Sequence, residues 1–479
     1  MAERFKVQEC VLILANKVMK RNRQITVREF LKNAPIDGSP VIGRRREQWQ
    51  TQYEIYIDGQ ILPGARKSMQ PMAGRVEDAD YQQMQQFITD SPWDSEATLN
   101  GIIDFMKMDM SSSKGIIAFD DTGFLKHGDC SVGVGHQYSG AIGKLGNCQV
   151  STSALYILPS KKRNRDAITW PLGMKLFLLH EWINDKNRRD NAGIPDNMEY
   201  KEKWRLALEL LDNAREHGIP HCAVTADSAY GLSTEFRSEL RQRKEPYVLA
   251  VSPKNVSMVL NKVELIEPEK VRSRRHGRMR KQYHLPAGII GKDATEIAQE
   301  LEEKDWKDVC WSEGSNGKLH RKFAKRKIRV LSHGRECTDE ICWLLLEQDA
   351  GELKAYFCWG FSNPSLELLV RISRARWFIE QGYREMKEEL GLDHFEGRSW
   401  RGWNHHAVLT QIAYAYLAWN RFHRHREDKK EPLLTLPEIR RRVVKEMALK
   451  LITQYFGVDI GPELEKGKRR FSDILVKMT

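Results

Sequence analysis

The chain has 479 residues, 41% of them hydrophobic and 30% charged, a composition typical of a folded protein with two to four structural units. It contains no run near the roughly 20 apolar residues that span a bilayer, no apolar signal core in its first ten residues, and no CxxC pair among its eight cysteines. These features argue against membrane-spanning, secreted and zinc-binding classes, and we expect a cytoplasmic protein. Lys and Arg outnumber Asp and Glu by 77 to 65, so the net charge of +12 favours a polyanionic partner.

The first hundred residues have mainly helical patterning, interrupted by the turn-rich stretch NAPIDGSPVIG at 33–43. Three arginines at 44–46 and a basic turn at 63–67 follow. The segment contains no clear helix-turn-helix pattern. On charge alone, we predict a helical N-terminal DNA-binding region over residues 1–105.

From Gly115 the pattern changes to strands that alternate with helices, which predicts an α/β sheet over residues 106–253. The segments Gly115–Asp121 (GIIAFDD) and Cys222–Asp227 (CAVTAD) are predicted as short apolar strands that end in acids. The other predicted elements are strands at 149–158, 168–178 and 247–251, a helix at 201–217 and a helix that begins near residue 233.

Residues 254–358 interrupt this alternation and are predicted to form a β-rich insertion with a hairpin near its end. Two runs in it, Val271–Gln282 and Gly317–Arg329, are basic and contain no Asp or Glu. Such a run is either a solvated surface or a contact for the DNA backbone, and the lack of balancing acids favours the DNA contact.

Two long helices are predicted after the insertion. Asn363 is the expected cap of the first, with Pro364 at its first helical position, and this helix ends near Gly391. The second runs from about residue 403 to 423. The basic tail over 424–479 is predicted to be helical.

One face of the first long helix has an unusual set of side chains. At 3.6 residues per turn, a single stripe contains Arg376, Glu380, Tyr383, Arg384 and Lys387. One carboxylate among three cations and a phenol suits a surface on which Glu380 binds a divalent ion and the cations bind backbone phosphates. The alternative is a solvated face with i,i+4 ion pairs, which the spacing alone favours.

Two predicted strands end in acids, at Asp121 and Asp227, and the later helix carries Glu380. Functional groups gather at the carboxyl ends of strands in an α/β sheet, and three carboxylates without a phosphate-binding glycine loop suit metal ions held directly by oxygen. Two Mg²⁺ ions, with Mn²⁺ as a possible substitute, could activate an attacking water or 3′-hydroxyl. Each strand acid alone is more simply a turn cap, and Asp120 and Asp121 point to opposite faces of their strand, so only one can be a ligand.

Three segments carry a more specific pattern: DDTGFLKHGDCSVGVGHQYSGAIGKLGNCQ at 120–149, TADSAYG at 225–231 and RARWFIEQGYREMKEELGLDHFEGRSWRGWNHH at 374–406. Together they resemble the DDE transposases of bacterial insertion sequences, and most closely the insertion-sequence-701 type within the insertion-sequence-4-like class. Arg376, Glu380 and Lys387 match the signature of that class, Y-x2-R-x3-E-x6-K, in identity and spacing. Ser373 replaces its Tyr, which puts one expected DNA contact in doubt.

The resemblance implies a ribonuclease-H-like catalytic core over residues 106–253 and 359–423, interrupted by the insertion at 254–358. The expected fold class is therefore α/β, with a helical N-terminal region and a helical C-terminal region at 424–479. The resemblance also implies that the Asp before Thr, Asp121, is the first catalytic and metal-binding acid, with Asp227 and Glu380 as the others. The expected DNA-binding residues are Arg376, Tyr383, Arg384, Lys387, Trp400 and Arg401.

The implied activity is that of a transposase, which cuts the inverted-repeat ends of its element with Mg²⁺ and joins the freed 3′-hydroxyls to target DNA. In relatives the second strand is cut through a hairpin intermediate with a flipped base, for which the aromatic candidates are Trp306, Trp311, Trp400 and Trp403. We expect a homodimer on double-stranded DNA and a nucleoid-associated location in a bacterial cytoplasm. The alternatives are a ribonuclease-H-like nuclease that cuts without joining, and a DNA-binding protein that no longer catalyses.

Overall fold

The computed structural model describes residues 25–33, 44–140, 143–159, 167–267, 283, 285–314, 317–332, 336–349, 351–427 and 433–456. The chain divides into two compact units. The first takes its residues from Met1–Ile102, Glu385–Phe395 and Leu409–Thr479, and the second from Ile103–Arg384 and Glu396–Val408. Among the described helices, none combines the length and the apolar character that a bilayer crossing needs.

The described chain is a mixture of helices and strands. The helices are α1 (Val27–Asn33), α2 (Arg44–Ile61), α3 (Met69–Ala73), α4 (Tyr81–Thr89), α5 (Ser95–Met110), α6 (His180–Asn184), α7 (Lys186–Ala192), α8 (Lys203–Glu216), α9 (Ser228–Leu232), α10 (Thr234–Gln242), α11 (Ala294–Gln299), α12 (Leu366–Ala375), α13 (Trp377–Leu390), α14 (Trp400–Glu427) and α15 (Leu436–Phe456). The strands are β1 (Ile116–Leu125), β2 (Gly135–Ser139), β3 (Lys144–Leu158), β4 (Ile168–Phe177), β5 (Ala223–Ala226), β6 (Tyr247–Val251), β7 (Met258–Leu260), β8 (Lys307–Gly314), β9 (Gly317–Ser332), β10 (Glu336–Asp349) and β11 (Glu352–Trp359).

Within the first unit, residues near both ends of the described chain pack together. The ring of Phe30 on α1 meets those of Tyr416 and Trp419 edge to face, with centroids 5.5 and 6.5 Å apart. The Tyr416 hydroxyl also donates a hydrogen bond of 2.9 Å to the carbonyl oxygen of Ile25. These edge-to-face contacts add to the burial of three large rings and join the start of the described chain to the second half of α14.

The first unit also contains a cavity of about 430 Å³, lined by residues of α1, α2 and α15 among others. The Oδ1 atom of Asp58 is buried there and has no hydrogen-bond partner. Burial is the main reason that the pKa of Asp58 is raised from 3.8 to about 7, and the nearby Glu54 carboxylate adds to the shift. The ionised form of Asp58 is therefore unfavourable in the folded protein.

We expect Asp58→Asn to stabilise the protein more at high pH than at low pH. Because the folded-state pKa lies above the unfolded value, the cost of the Asp58 charge grows as the pH rises and is complete above about pH 7. The gain in the free energy of unfolding should be about 3 kcal/mol larger at pH 8 than at pH 5, as measured by urea denaturation. Glu77→Gln, on the exposed rim of the same cavity, is the control, and an equal gain at both pH values would contradict this account of Asp58.

The strands of the second unit form one large mixed sheet in the order β2-β3-β1-β5-β6-β11-β10-β9-β7, with β4 paired to β3 and β8 paired to β9. The strand β5 runs parallel to both β1 and β6, and the other pairs are antiparallel. Because β11 pairs with β6, the strands of the 254–358 segment extend the same sheet. The α/β class predicted from the sequence is confirmed.

Two predicted element boundaries are wrong, and both matter for the site. The strand β1 does not end at Asp121 but continues to Leu125, because residues up to Leu125 stay paired with β3. The single long helix predicted from Asn363 is two helices, α12 and α13, with a break at Arg376. The N-cap of α12 is Ser365 and not the predicted Asn363, and the Ser365 side chain accepts a hydrogen bond from the Leu368 amide.

The short helix α9 lies directly against β6. A Cβ atom on Gly231 would stand 1.8 Å from the carbonyl oxygen of Ala250, so only glycine permits this approach. The buried Arg237 on α10 donates a hydrogen bond of 2.6 Å to the Gly231 carbonyl and pairs with Glu340 on β10 at 2.9 Å. These contacts fix the turn that follows β5, where Asp227 lies.

Candidate active site

Asp227 follows the last residue of β5 and caps α9. Its Oδ1 accepts hydrogen bonds from the amides of Ala229 (2.9 Å) and Tyr230 (3.3 Å), which is the turn-cap role that the sequence left open. Burial raises the pKa of Asp227 above its usual value, and these two hydrogen bonds oppose the rise. The cap holds the carboxylate at the carboxyl end of a buried parallel strand.

Asp121 lies in the middle of β1, and protein groups surround its carboxylate. Its Oδ1 accepts hydrogen bonds from the hydroxyls of Tyr230 (2.6 Å) and Thr152 (2.8 Å). Its Oδ2 lies 3.0 Å from the ammonium of Lys203, at the start of α8. Both carboxylate oxygens of Asp121 therefore have donors within the protein.

Asp120 has a different environment. One oxygen accepts a hydrogen bond of 2.8 Å from the Asp121 amide, and the other lies 3.6 Å from Nη1 of Arg376. Burial is the main reason that the pKa of Asp120 is raised to about 7, and the Asp227 carboxylate is the second. Asp120, whose side chain is 13% exposed, is therefore a largely buried acid, and the only cation within ion-pair distance of it among the described residues is Arg376.

Arg376 connects Asp120 to the helix stripe. The same Nη1 atom that approaches Asp120 lies 2.6 Å from Oε1 of Glu380, one turn farther along the chain. This i,i+4 ion pair is the one expected for a solvated helix face, and Glu380 is exposed. Arg376, however, also lies near the carboxylates of Asp120 and Asp227. Arg376 itself is the residue at the break between α12 and α13.

Tyr383 fixes α13 to the sheet. Its hydroxyl donates a hydrogen bond of 2.7 Å to the carbonyl oxygen of Asp120 and shares another of 2.6 Å with Ser153 on β3. The side chain is only 6% exposed. Among the residues predicted to contact DNA, Tyr383 is thus buried, and its polar atom holds the Glu380 helix against β1.

The described residues contain no group of three or more His, Cys, Asp and Glu side chains that already stand together as a metal site. The guanidinium of Arg376 lies between Asp120 and Glu380, and Asp121, the first acid that the resemblance implies, pairs with Lys203. The donors are nevertheless carboxylate oxygens, the ligands that Mg²⁺ prefers, and Asp120 is buried with a raised pKa. The chemistry of this set fits a divalent cation.

The other predicted DNA contacts differ in exposure. Arg384 on α13 and Arg401 on α14 are exposed, and Trp400 is partly buried. Lys387 is also partly buried, and its pKa is lowered by that burial. By exposure, Arg384 and Arg401 are the residues best suited to contact a polyanion.

The basic run Gly317–Arg329 is less unbalanced than its sequence indicates. It lies on β9, where Arg321 pairs with Glu347 and Asp349, Lys322 pairs with Glu303, and Arg326 lies 2.7 Å from Asp305. These acids come from β10 and from the short 3₁₀ turn before β8. The DNA contact inferred from missing acids is weakened for this run, and the run Val271–Gln282 lies outside the described residues.

The aromatic candidates also change. Trp403 is 4% exposed and packs edge to face against Phe124, and Trp311 lies under the guanidinium of Arg374 at 4.2 Å.

Trp377, which the sequence analysis did not select, is 52% exposed and directly follows Arg376. It lines a cavity of about 390 Å³ together with Lys354, Ser373, Arg374, Arg376 and Glu380. Its place in the site could have been found from the sequence, since it lies three residues before Glu380.

Comparison with known proteins agrees with these observations. A family model described as DDE superfamily endonuclease matches residues 39–318, more than half of the chain, and this range includes Asp120, Asp121 and Asp227 but not Glu380. The chain is 26% identical over 198 residues to a probable transposase for insertion sequence element IS701 from Microchaete diplosiphon. That match covers 41% of this chain and 47% of the relative, so it spans about half of the relative's length.

Among solved structures, the chain is similar to the piggyBac transposase synaptic complex with hairpin DNA. The TM-score is 0.41 at 8% sequence identity, over 90% of this chain and 77% of that one. A likeness at this level does not bear on the chemistry of the site. The resemblance to insertion-sequence-701 transposases inferred from the three sequence segments is confirmed, and the chain belongs to the DDE superfamily endonucleases.

Proposed function

We propose that this protein is a DNA transposase that cuts the ends of its insertion sequence and joins them to target DNA with the help of divalent cations, Mg²⁺ in the first instance. The observation that carries the proposal is that the Arg376 guanidinium contacts both Asp120 and Glu380, with the Asp227 carboxylate within range of its charge. One cation for three acids leaves a net negative charge. A divalent cation would neutralise it.

The strand arrangement supports a ribonuclease-H-like core within the sheet. The central order is β4-β3-β1-β5-β6, in which three antiparallel strands are followed by two that run parallel to β1. Asp120 and Asp121 lie on the central strand, and Asp227 lies at the end of its parallel neighbour. We also propose the five-part division predicted from the sequence, with the β-rich segment at 254–358 as an insertion in this core.

In the proposed mechanism the chain's own groups bind and orient. The β1 carboxylate, Asp227 and Glu380 would hold the cations, which when bound would activate an attacking water or 3′-hydroxyl and stabilise the leaving oxygen. Tyr383 keeps the Glu380 helix against β1, and the cap at α9 orients Asp227. Arg376 would exchange its carboxylate partners for a phosphate oxygen of the DNA.

The partner we propose is double-stranded DNA, first the inverted-repeat ends and then the target, bound by a homodimer that pairs two ends. Exposed Arg384 and Arg401 would contact phosphates. Trp377 would offer a stacking surface beside Glu380, and a hairpin intermediate is the proposed route for cutting the second strand.

A strand-transfer assay tests the proposal. Labelled DNA that carries the inverted repeats flanking the gene is incubated with the full chain, a target plasmid, and Mg²⁺ or EDTA. We expect end cleavage and covalent joining of the labelled 3′ ends to the plasmid, both absent with EDTA. Cleavage without joining would support the alternative of a nuclease, and neither product would support a DNA-binding protein without catalysis.

A further inference from the structure

We propose that Asp120, and not the neighbouring Asp121, is the β1 carboxylate that binds the divalent cation. Asp121 instead ties β1 to α8 and α9. The inference rests on the proposed function and deepens it, because it names the ligand that the resemblance assigns to the other residue of the pair. Adjacent strand residues point to opposite faces, so the two assignments exclude each other.

The register of the sheet points Asp120 towards Asp227. Ile116 pairs with Ala223 and Ala118 with Thr225, an offset of 107 residues. Continued for two residues past the last pair, this offset brings Asp120 opposite Asp227, and the Asp227 carboxylate acts electrostatically on Asp120. Level residues on neighbouring parallel strands lie on the same face, about 4.8 Å apart. The same offset brings Asp121 opposite Ser228, although the Asp121 carboxylate also acts electrostatically on Asp227.

The residues of β3 that pair with Asp120 and Asp121 identify the helices on the two faces of β1. Asp120 pairs with Ser153, whose hydroxyl is bonded to Tyr383 on α13, the helix that carries Glu380. Asp121 pairs with Thr152, whose hydroxyl is bonded to Asp121 itself and lies beside Tyr230. Asp120 therefore shares its face with Glu380, and Asp121 faces α8 and α9.

The charges on the two faces lead to the same conclusion. Asp121 is matched one to one by Lys203 and receives two hydroxyl hydrogen bonds. Asp120 has one backbone hydrogen bond, and it shares Arg376 with Glu380. A cation that binds beside Asp120 would supply the positive charge that this carboxylate lacks. A cation that binds Asp121 would have to displace Lys203 and two hydroxyl donors.

The test compares neighbouring substitutions that remove the same charge. Mn²⁺ binding to the full chain is measured by electron paramagnetic resonance for Asp120→Asn, Asp121→Asn, Asp227→Asn and Glu380→Gln, with thermal unfolding to verify the fold. Asp120→Asn should weaken Mn²⁺ binding by at least about 10-fold. Asp121→Asn, which keeps its Oδ1 acceptor, should weaken it by less than about 5-fold and lower the melting temperature.

A second pair of variants does not depend on the stability of the amide variants. Thiolate ligands accept Mn²⁺ better than Mg²⁺, so Asp120→Cys should retain end cleavage with Mn²⁺ and lose it with Mg²⁺. Asp121→Cys should show no such preference. Loss of Mn²⁺ binding in Asp121→Asn, or unchanged binding in Asp120→Asn, would overturn the assignment. Unchanged binding in Asp227→Asn and Glu380→Gln would overturn the proposed function itself.

Discussion

Asp227→Asn and Glu380→Gln are each expected to lower metal-dependent cleavage of the inverted-repeat ends by at least about 10³-fold. The amide keeps the size of each side chain, and in Asp227→Asn the remaining side-chain oxygen can still accept the hydrogen bonds that cap α9. What each variant loses is a negative charge that would hold a cation, and with it several kcal/mol of stabilisation of the transition state. Cleavage is measured on labelled end DNA under single-turnover conditions.

End binding provides the internal comparison for these two variants. In a gel-shift assay without metal, both should bind the inverted repeat within about 3-fold of the unaltered chain, because removing an acid does not weaken contacts with phosphates. Asp196→Asn, at an exposed position, is the matched loss of charge and should cleave normally. Full cleavage by Asp227→Asn or Glu380→Gln would remove that residue from the site.

Arg376→Gln is expected to separate metal binding from catalysis. Since the guanidinium contacts both Asp120 and Glu380, its removal should raise the affinity for Mn²⁺ without DNA by about 2- to 5-fold. End cleavage should nevertheless fall by about 10- to 100-fold, because the proposed charged hydrogen bond to a phosphate is lost. Mn²⁺ binding and single-turnover cleavage are measured on the same preparations.

Arg376→Lys is the matched control for the higher Mn²⁺ affinity and the lower cleavage expected of Arg376→Gln. It keeps a positive charge near the acids but lacks the planar fork of donors, so Mn²⁺ affinity should stay close to that of the unaltered chain while cleavage is reduced. If Arg376→Gln weakened Mn²⁺ binding instead, the guanidinium would support the site rather than compete for it.

Much of the fold can be predicted from local sequence pattern. The segments that became β3, β4, β5 and β6 are mostly buried, and such stretches are readily recognised as strands. The end of β1 was missed because two acids look like a strand terminus. Pairing with β3 continues for four residues beyond them, and that pairing depends on residues far away in the chain.

The site could be predicted in kind but not in detail. Spacing and resemblance single out Glu380 and Arg376, yet the alternation of a strand cannot say which of Asp120 and Asp121 faces the later helix until the register with β5 is known. The ion pairs of the β9 cations could not be predicted from the sequence either. The cations of β9 look unbalanced in sequence, but their acids come from neighbouring elements that only the folded sheet brings near.

The most direct test of the central claim is a crystal structure of the full chain with an inverted-repeat end and Mn²⁺, with the metal located by its anomalous scattering. We expect at least one Mn²⁺ ion about 2.1 Å from carboxylate oxygens of Asp227 and Glu380 and of Asp120 on β1, with the Arg376 guanidinium turned to a DNA phosphate. Ordered end DNA without an anomalous peak among these carboxylates, or with Mn²⁺ bound elsewhere, would contradict the account.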